Sequence, residues 1–163
     1  MARKSPGESV FATNRKARRD YTILETVEAG IALHGTEIKS IRQHRVSLED
    51  SFGRIDGGEL FLYNMHVNPY EQGGQFNAEP TRPRKLLLHR RQIDRLAGQM
   101  SQKHVALVPL RLYQKHGLAK IELAIGKGKR VFEKRDRIRE REIDRELRRT
   151  LKEHRRKHDR GVR

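Results

Sequence analysis

From Gly126 to Arg163 the chain lacks what a compact fold needs. Residues 127 to 163 carry 17 Lys or Arg against 8 Asp or Glu, a surplus of +9. Almost the only large apolar side chains there are Val131, Phe132, Ile138, Ile143, Leu147, Leu151 and Val162. Such a segment cannot bury enough apolar surface to offset the entropy of ordering it. Yet Ile143, Leu147 and Leu151 recur at i, i+4 and i+8, which is one stripe of a helix. Asp144 and Arg148 are spaced to pair across one helical turn. The expectation is a basic arm over 131–163, disordered alone and helical when bound to a large polyanion. A folded core must therefore come from the residues before it.

Those residues are basic as well. The whole chain has 37 Lys or Arg and 21 Asp or Glu, net +16, and residues 1 to 126 alone keep 20 against 13, net +7. Surplus positive charge favours encounter with nucleic acid, through phosphate neutralisation and counterion release. A membrane surface is the competing polyanion. No apolar run approaches the roughly 20 residues that a span requires, and the arm's stripe is thin for an interfacial helix, with no Trp and many acids among its bases. Nucleic acid is the expected partner class, and no membrane partner is expected. With no Cys in 163 residues, disulfides and thiolate metal sites are excluded. The N-terminus has no secretory apolar stretch, so the expected location is cytoplasmic.

Along the body, residues 1 to 13 read as a flexible basic N-terminus. From Tyr21 the β-branched and aromatic residues of Tyr21-Thr-Ile-Leu-Glu-Thr-Val-Glu-Ala29 predict a strand, broken by Gly30 and Gly35. Thr36–Arg42, with Ile38 and Ile41 three apart, suits a short helix or an irregular strand. Ser51–Ile55 and Glu59–Val67 flank Asp56-Gly57-Gly58, a hairpin signal because such turns need positive φ. Pro69–Arg84 reads as a long surface loop. Lys85–Met100 shows helical spacing, with Leu88 or His89, Ile93, Leu96 and Met100 on one face. Val105–Tyr113 and Leu118–Ile125 form a second strand pair. In the latter, Ala119, Ile121, Leu123 and Ile125 face one way, and Lys120, Glu122 and Ala124 the other. Short strands at close spacing point to a mainly β fold, a small antiparallel six-stranded barrel over residues 14–130 with about three helices.

Chemistry-bearing motifs are few. Gly126-Lys127-Gly128-Lys129 lacks the spacing of a phosphate-binding loop and is followed by Arg130. His154 and His158 make the only i, i+4 histidine pair, without an organised carboxylate beside it, so no metal or other cofactor is expected. Nothing resembles a nucleophile elbow, and the acids lie mostly beside Lys or Arg. Catalysis is not indicated. Aromatic side chains on a basic surface can stack with bases, each worth about 1–3 kcal/mol. The candidates are Tyr21, Tyr70, Tyr113 and Phe132, of which Phe132, within Arg130-Val-Phe-Glu-Lys-Arg135, is the strongest. Glu28, Leu87 and Lys120 have plainer readings as turn, core and surface residues.

Six strings taken together carry a resemblance: Asn14-Arg-Lys-Ala17, Glu28-Ala-Gly-Ile31, Gly35-Thr-Glu-Ile-Lys-Ser40, Arg82-Pro-Arg-Lys-Leu-Leu-Leu-His89, Lys120-Ile-Glu-Leu-Ala124 and Gly126-Lys-Gly-Lys129. In order and spacing, from Asn14 to the end, the chain resembles the small protein B (SmpB) family, the SsrA-binding proteins of bacterial trans-translation. The resemblance implies an oligonucleotide-binding-like (OB-like) barrel with flanking helices and a tail unstructured in solution. It implies a non-catalytic adaptor that binds the tRNA-like domain of transfer-messenger RNA, promotes its alanylation and delivers it to stalled ribosomes. Elongation factor Tu and alanyl-tRNA synthetase would be met through the RNA.

Carried over position by position, family contacts to the RNA elbow fall on Glu28, Leu87 and Lys120. Contacts to ribosomal RNA at the decoding centre fall on Gly128, Lys129, Arg130, Lys134 and Arg135, with Phe132 among them. The tail helix in the empty mRNA channel falls on Ile143, Thr150 and Leu151, and Leu147 shares their stripe. Family members commonly have Asp where Glu133 stands, and other apolar residues at Ile143 and Thr150. A runner-up reading is a generic ribosome-associated single-strand RNA-binding barrel without a rescue role. A phosphodiester-cleaving enzyme would need a carboxylate cluster for a divalent metal, which the spacing of the acids does not supply.

Overall fold

The computed structural model describes residues 9–129 and Arg145. The chain opens with strand β1 (Ser9–Thr13), helix α1 (Arg15–Asp20), strand β2 (Tyr21–Ile31) and helix α2 (Gly35–Arg42). Short strand β3 (Val46–Ser47) precedes the hairpin of β4 (Phe52–Asp56) and β5 (Glu59–Tyr63). After β6 (His66–Val67) a loop holding one 3-10 turn leads to β7 (Arg84–Leu87) and helix α3 (Arg90–Lys103). Strands β8 (Ala106–Lys115) and β9 (Leu118–Gly128) end the described fold.

The pairings close on themselves. β8 meets β4, β4 meets β5, and the ladder runs through β7, β2 and β9 back to β8, all antiparallel. This ring of six strands is the expected barrel. β1 adds a seventh strand along Arg111–Gln114 of β8, and β3 pairs with β6 in a separate two-stranded ribbon. The first hairpin turns at Gly57 and Gly58, with φ of 58° and 76°. A side chain would strain both positions, which is why the Gly-Gly signal marks the turn so well.

Inward-facing Leu60, Leu62, Leu86, Leu107, Leu112, Ile121 and Leu123 fill the barrel, and Ile41 of α2 and Leu96 of α3 pack against the same core. Strand β9 shows why its alternation was so legible. Ile121, Leu123 and Ile125 point inward to this core, while Ala124 faces outward beneath α1, against Ala17, Val108 and Leu110. Asn14 ties that corner together. Its side-chain oxygen caps α1 by accepting from the Ala17 N–H at 3.0 Å, and its amide nitrogen donates to the Leu48 carbonyl at 3.1 Å.

Three expectations are corrected. Ser9–Thr13 is a strand rather than part of a flexible N-terminus, because β8 extends past β4 and offers it a free edge. Lys85–Leu88 does not begin a helix: Arg84 and Leu86 face the core while Lys85 and Leu87 face out, and α3 starts only at Arg90. A run of three leucines has no periodicity to separate strand from helix. Finally, Arg84 is not a loop residue but is wholly buried. Thr36–Arg42, left open between helix and strand, is helical.

Candidate nucleic-acid interface

Residues far apart in the chain meet in one transverse row on the outer face of the barrel. Leu87 on β7 lies opposite Gly30 on β2, Gly30 opposite Lys120 on β9, and Lys120 opposite Tyr113 on β8. Glu28 stands two residues from Gly30 and so shares its face. Together Glu28, Gly30, Leu87 and Lys120 line a shallow groove of about 380 Å³, walled beyond by His89 and Gln92. Leu87 is 53% exposed, so it is an apolar platform at the surface and not a core residue. Gly30 makes the row possible: a Cβ there would sit 3.1 Å from the Leu87 Cβ.

The groove's carboxylate is held in place. The buried Tyr113 hydroxyl donates to Glu28 Oε2, and Lys115 Nζ donates to the same oxygen at 3.0 Å. The Tyr113 hydrogen bond, then Lys115 and the charge of Lys120, hold the Glu28 carboxyl below the usual carboxylate range against the opposing effect of burial. Glu28 is therefore an ionised acceptor at neutral pH. Glu122 lies directly opposite it in the ladder, a pairing of like charges that is relieved on the far side by Arg111, whose Nε donates to Glu122 at 2.6 Å. Arg111 also covers the Tyr113 ring, 4.5 Å from its centroid. The result is an acceptor, an apolar surface and a cation aimed outward from rigid strands.

A buried ionic cluster anchors the strand that carries Leu87. Glu37 of α2 accepts from Arg82 Nε and Nη2 at 3.0 and 2.5 Å, and from Arg84 Nε at 2.9 Å. The remaining Arg84 donors reach the carbonyls of Met65, Arg82 and Pro80. Burial pushes the Glu37 carboxyl up, but hydrogen bonds from Arg82 and the His34 N–H, with the Arg84 charge, bring it below its ordinary value. This cluster joins two of the sequence strings, Gly35–Ser40 and Arg82–His89, and gives both a structural reason. Sequence reading missed it, although Arg82-Pro-Arg84 and Glu37 were its signal.

Other candidates are dispersed. Gly128 ends β9 opposite Tyr21, and Lys129 follows it. Arg130, Phe132, Lys134, Arg135, Ile143, Leu147, Thr150 and Leu151 lie outside the described residues. Of the proposed stacking aromatics, Tyr113 is buried, Tyr21 packs beside α1's apolar cluster, and Tyr70 has the Lys39 ammonium 5.2 Å over its ring. Sequence reading passed over Phe11, which lines an apolar cleft beside the groove, and Phe52, stacked on Tyr63 with centroids 5.6 Å apart. Among the described residues no helix is long and apolar enough to cross a membrane, and no three His, Cys, Asp or Glu gather as a metal site.

Comparison with known proteins places this geometry among relatives. The family model described as "SmpB protein" matches residues 11–153. The SsrA-binding protein of Carboxydothermus hydrogenoformans is 59% identical over 135 residues, covering 83% of this chain and 91% of that protein. That of Caldicellulosiruptor saccharolyticus is 53% identical over 156 residues, covering 94% and 99%. A solved chain from the work "tmRNA-SmpB: a journey to the center of the bacterial ribosome" aligns with a TM-score of 0.62 and 50% identity, over 73% of this chain and 84% of that one.

Proposed function

This chain belongs to the SmpB family, and from that premise we propose that it is the RNA-binding adaptor of trans-translation, which binds transfer-messenger RNA and brings it to stalled ribosomes. The observation that carries the reading is the row of Leu87, Gly30 and Lys120 with Glu28 beside it. Folded RNA is recognised through its shape, its phosphates and its unstacked loop bases rather than by reading a helical groove. An ionised acceptor, an exposed leucine and a lysine suit the bent elbow of a tRNA-like domain. Binding there promotes alanylation by alanyl-tRNA synthetase and delivery with elongation factor Tu, both met through the RNA, in the cytoplasm. The protein itself does no bond chemistry.

The basic residues from Gly128 onward complete the reading. Lys129, Arg130, Phe132, Lys134 and Arg135 face ribosomal RNA at the decoding centre, and the stripe of Ile143, Leu147, Thr150 and Leu151 enters the vacant mRNA channel as a helix. Folding on binding costs affinity, so a channel already filled by message disfavours engagement.

The test is binding to the tRNA-like domain of transfer-messenger RNA, with ordinary tRNA as competitor and at several salt concentrations. Selective binding is expected, weakening about a thousandfold between roughly 50 and 200 mM salt if about six phosphates are contacted. Equal affinity for both RNAs, or a flat salt response, would overturn the assignment.

A further inference from the structure

The loop that joins β6 to β7 carries the most exposed large apolar side chain among the described residues. Phe76 is 76% exposed and belongs to neither apolar cluster of the core. A single apolar side chain on a surface is ordinary. The loop beneath this one, however, is built to hold it still. The Asn77 carboxamide spans the neck: its Oδ1 accepts from the Tyr70 N–H at 3.0 Å, and its Nδ2 donates to the Tyr70 carbonyl at 2.9 Å. Inside that clamp the Gly73 and Phe76 N–H groups donate to the Tyr70 and Gly73 carbonyls at 2.8 and 2.9 Å. Gly73 is buried against the clamp, where an added Cβ would collide with Asn77 Oδ1. At the base of the loop Arg45 pairs with Glu71 at 2.6 Å and Arg82 with Glu37. None of these bonds covers the ring.

The charge around the ring decides what kind of surface it fits. From Gln72 to Ala78 no residue is charged, in a chain where 36% are, and the first charged neighbours on either side are Glu71 and Glu79. Arg45 is engaged by Glu71, and Lys39 lies over the Tyr70 ring, 5.2 Å from its centroid. A base stacked on Phe76 would bring its phosphates toward two carboxylates, with no cation in the segment to receive them. Affinity for nucleic acid comes largely from such cations. Protein interfaces have the opposite composition: charge is depleted at the centre, and an aromatic anchor is ringed by groups that exclude water. Gln72 and Gln75, both exposed, supply neutral polar groups in the same loop.

We propose that the Phe76 loop docks into an apolar socket on a protein surface, with basic groups at the rim complementary to the flanking Glu71 and Glu79. One aromatic side chain buries about 150–250 Å², whereas a stable interface needs on the order of 1,200 Å² or more. The loop therefore acts as a second contact, made where bound RNA already holds this chain beside its partner and the local concentration is high. On the adaptor reading above, on which this inference rests, that place is the stalled ribosome. The Asn77 clamp then has a purpose, because a ring ordered beforehand loses less freedom on docking.

The experiment uses the full chain, transfer-messenger RNA and ribosomes stalled on a truncated message. Phe76 lies outside the core, and thermal melts check the fold of Phe76→Ala, Phe76→Tyr and Asn77→Ala. Affinity for the tRNA-like domain should stay at the parent value in all three. Tagging of stalled chains should fall on the order of tenfold in Phe76→Ala, as at an interface hot spot. It should fall less in Asn77→Ala and stay near the parent level in Phe76→Tyr, which keeps the ring. Photoreactive p-benzoylphenylalanine in place of Phe76 should give, on these ribosomes, a crosslink that protease removes and ribonuclease does not. Should Phe76→Ala not fold, the crosslink decides. A crosslink to RNA, no crosslink at all, or tagging by Phe76→Ala equal to the parent's would overturn the docking role and leave the adaptor reading standing. If the parent itself neither binds this RNA nor supports tagging, the adaptor reading fails and the docking role falls with it.

Discussion

The Tyr113 hydroxyl reaches across strand β9 to donate a hydrogen bond to the Glu28 carboxylate. Two residues from strands that do not pair thereby fix one outward-facing acceptor, and Lys115 adds a second donor to the same oxygen. Rigid placement of a charge on a strand is what a shape-reading RNA site requires, because each side chain already ordered before binding spares ordering cost afterwards.

Tyr113→Phe tests that relationship with one atom removed. Glu28 is held below the ordinary carboxylate range first by Tyr113, so its pKa should rise toward the ordinary value, which a carbon-13 NMR titration of the carboxyl would follow. The stabilisation linked to Glu28 is present above its unfolded pKa and lost as pH falls through the folded one. In the parent Glu28 stays ionised throughout the neutral range and so adds no pH dependence of its own to RNA binding there. Glu28→Ala should weaken RNA binding on the order of tenfold, and Tyr113→Phe by less. An unmoved titration curve would remove Tyr113 from the role.

Glu37→Gln leaves Arg84 buried without a counter-charge. Breaking a buried ion pair at one partner costs about 3–5 kcal/mol, so the urea midpoint at pH 7 should drop well below that of the parent. The sign of the pH effect follows from the lowered Glu37 pKa. Its stabilisation is full above the unfolded carboxylate pKa and disappears as acid passes through the folded value, so the parent should lose stability there. The variant should show a flatter acid limb. Equal midpoints at neutral pH would mean that the cluster contributes little.

Gly30→Ala places a methyl 3.1 Å from the Leu87 Cβ. Neither atom can rotate away, so β2 and β7 must part by a few tenths of an ångström. A stability loss of about 1–3 kcal/mol is expected for such overpacking, with a loss of RNA affinity greater than a remote variant of equal stability shows. Affinity that merely tracks stability would deny Gly30 any part in shaping the groove.

Truncation after Arg130 separates the barrel from the arm. Binding to the tRNA-like domain should be spared, while tagging of stalled chains in a reconstituted translation reaction should vanish. Tagging by the truncated protein would dispose of the arm's sensing role.

Much of the barrel was legible because its cues are local. Asp56-Gly57-Gly58 demands a positive-φ turn, and the alternation from Ala119 to Ile125 states which face of β9 is inside. Helix α1 was not foreseen, although Asn14, whose side chain caps it, was its local signal. The Lys85–Leu87 run misled because its neighbours in the sequence do not determine its state. It is a strand because β5 and β2 present open edges on either side of it. Ser9–Thr13 misled for the same reason, its order coming from the edge of β8. Glu28, Leu87 and Lys120 were found through the resemblance, since nothing in their own surroundings separates them from a turn, a core and a surface residue. Phe11 was passed over because an apolar cleft has no signature in the sequence until its walls have met.

By itself, the sequence settled the chemistry of the partner and the kind of fold. Net charge, the thin apolar content after Gly126 and the period-two strands are properties of composition and neighbouring residues, and these survive in any conformation. Tertiary structure alone decided the closure of the six-stranded ring, the burial of Arg84 against Glu37, and the row from Tyr113 through Lys120 and Gly30 to Leu87. Each of these depends on register between distant strands, and register is set cooperatively by which side chains fill the shared core.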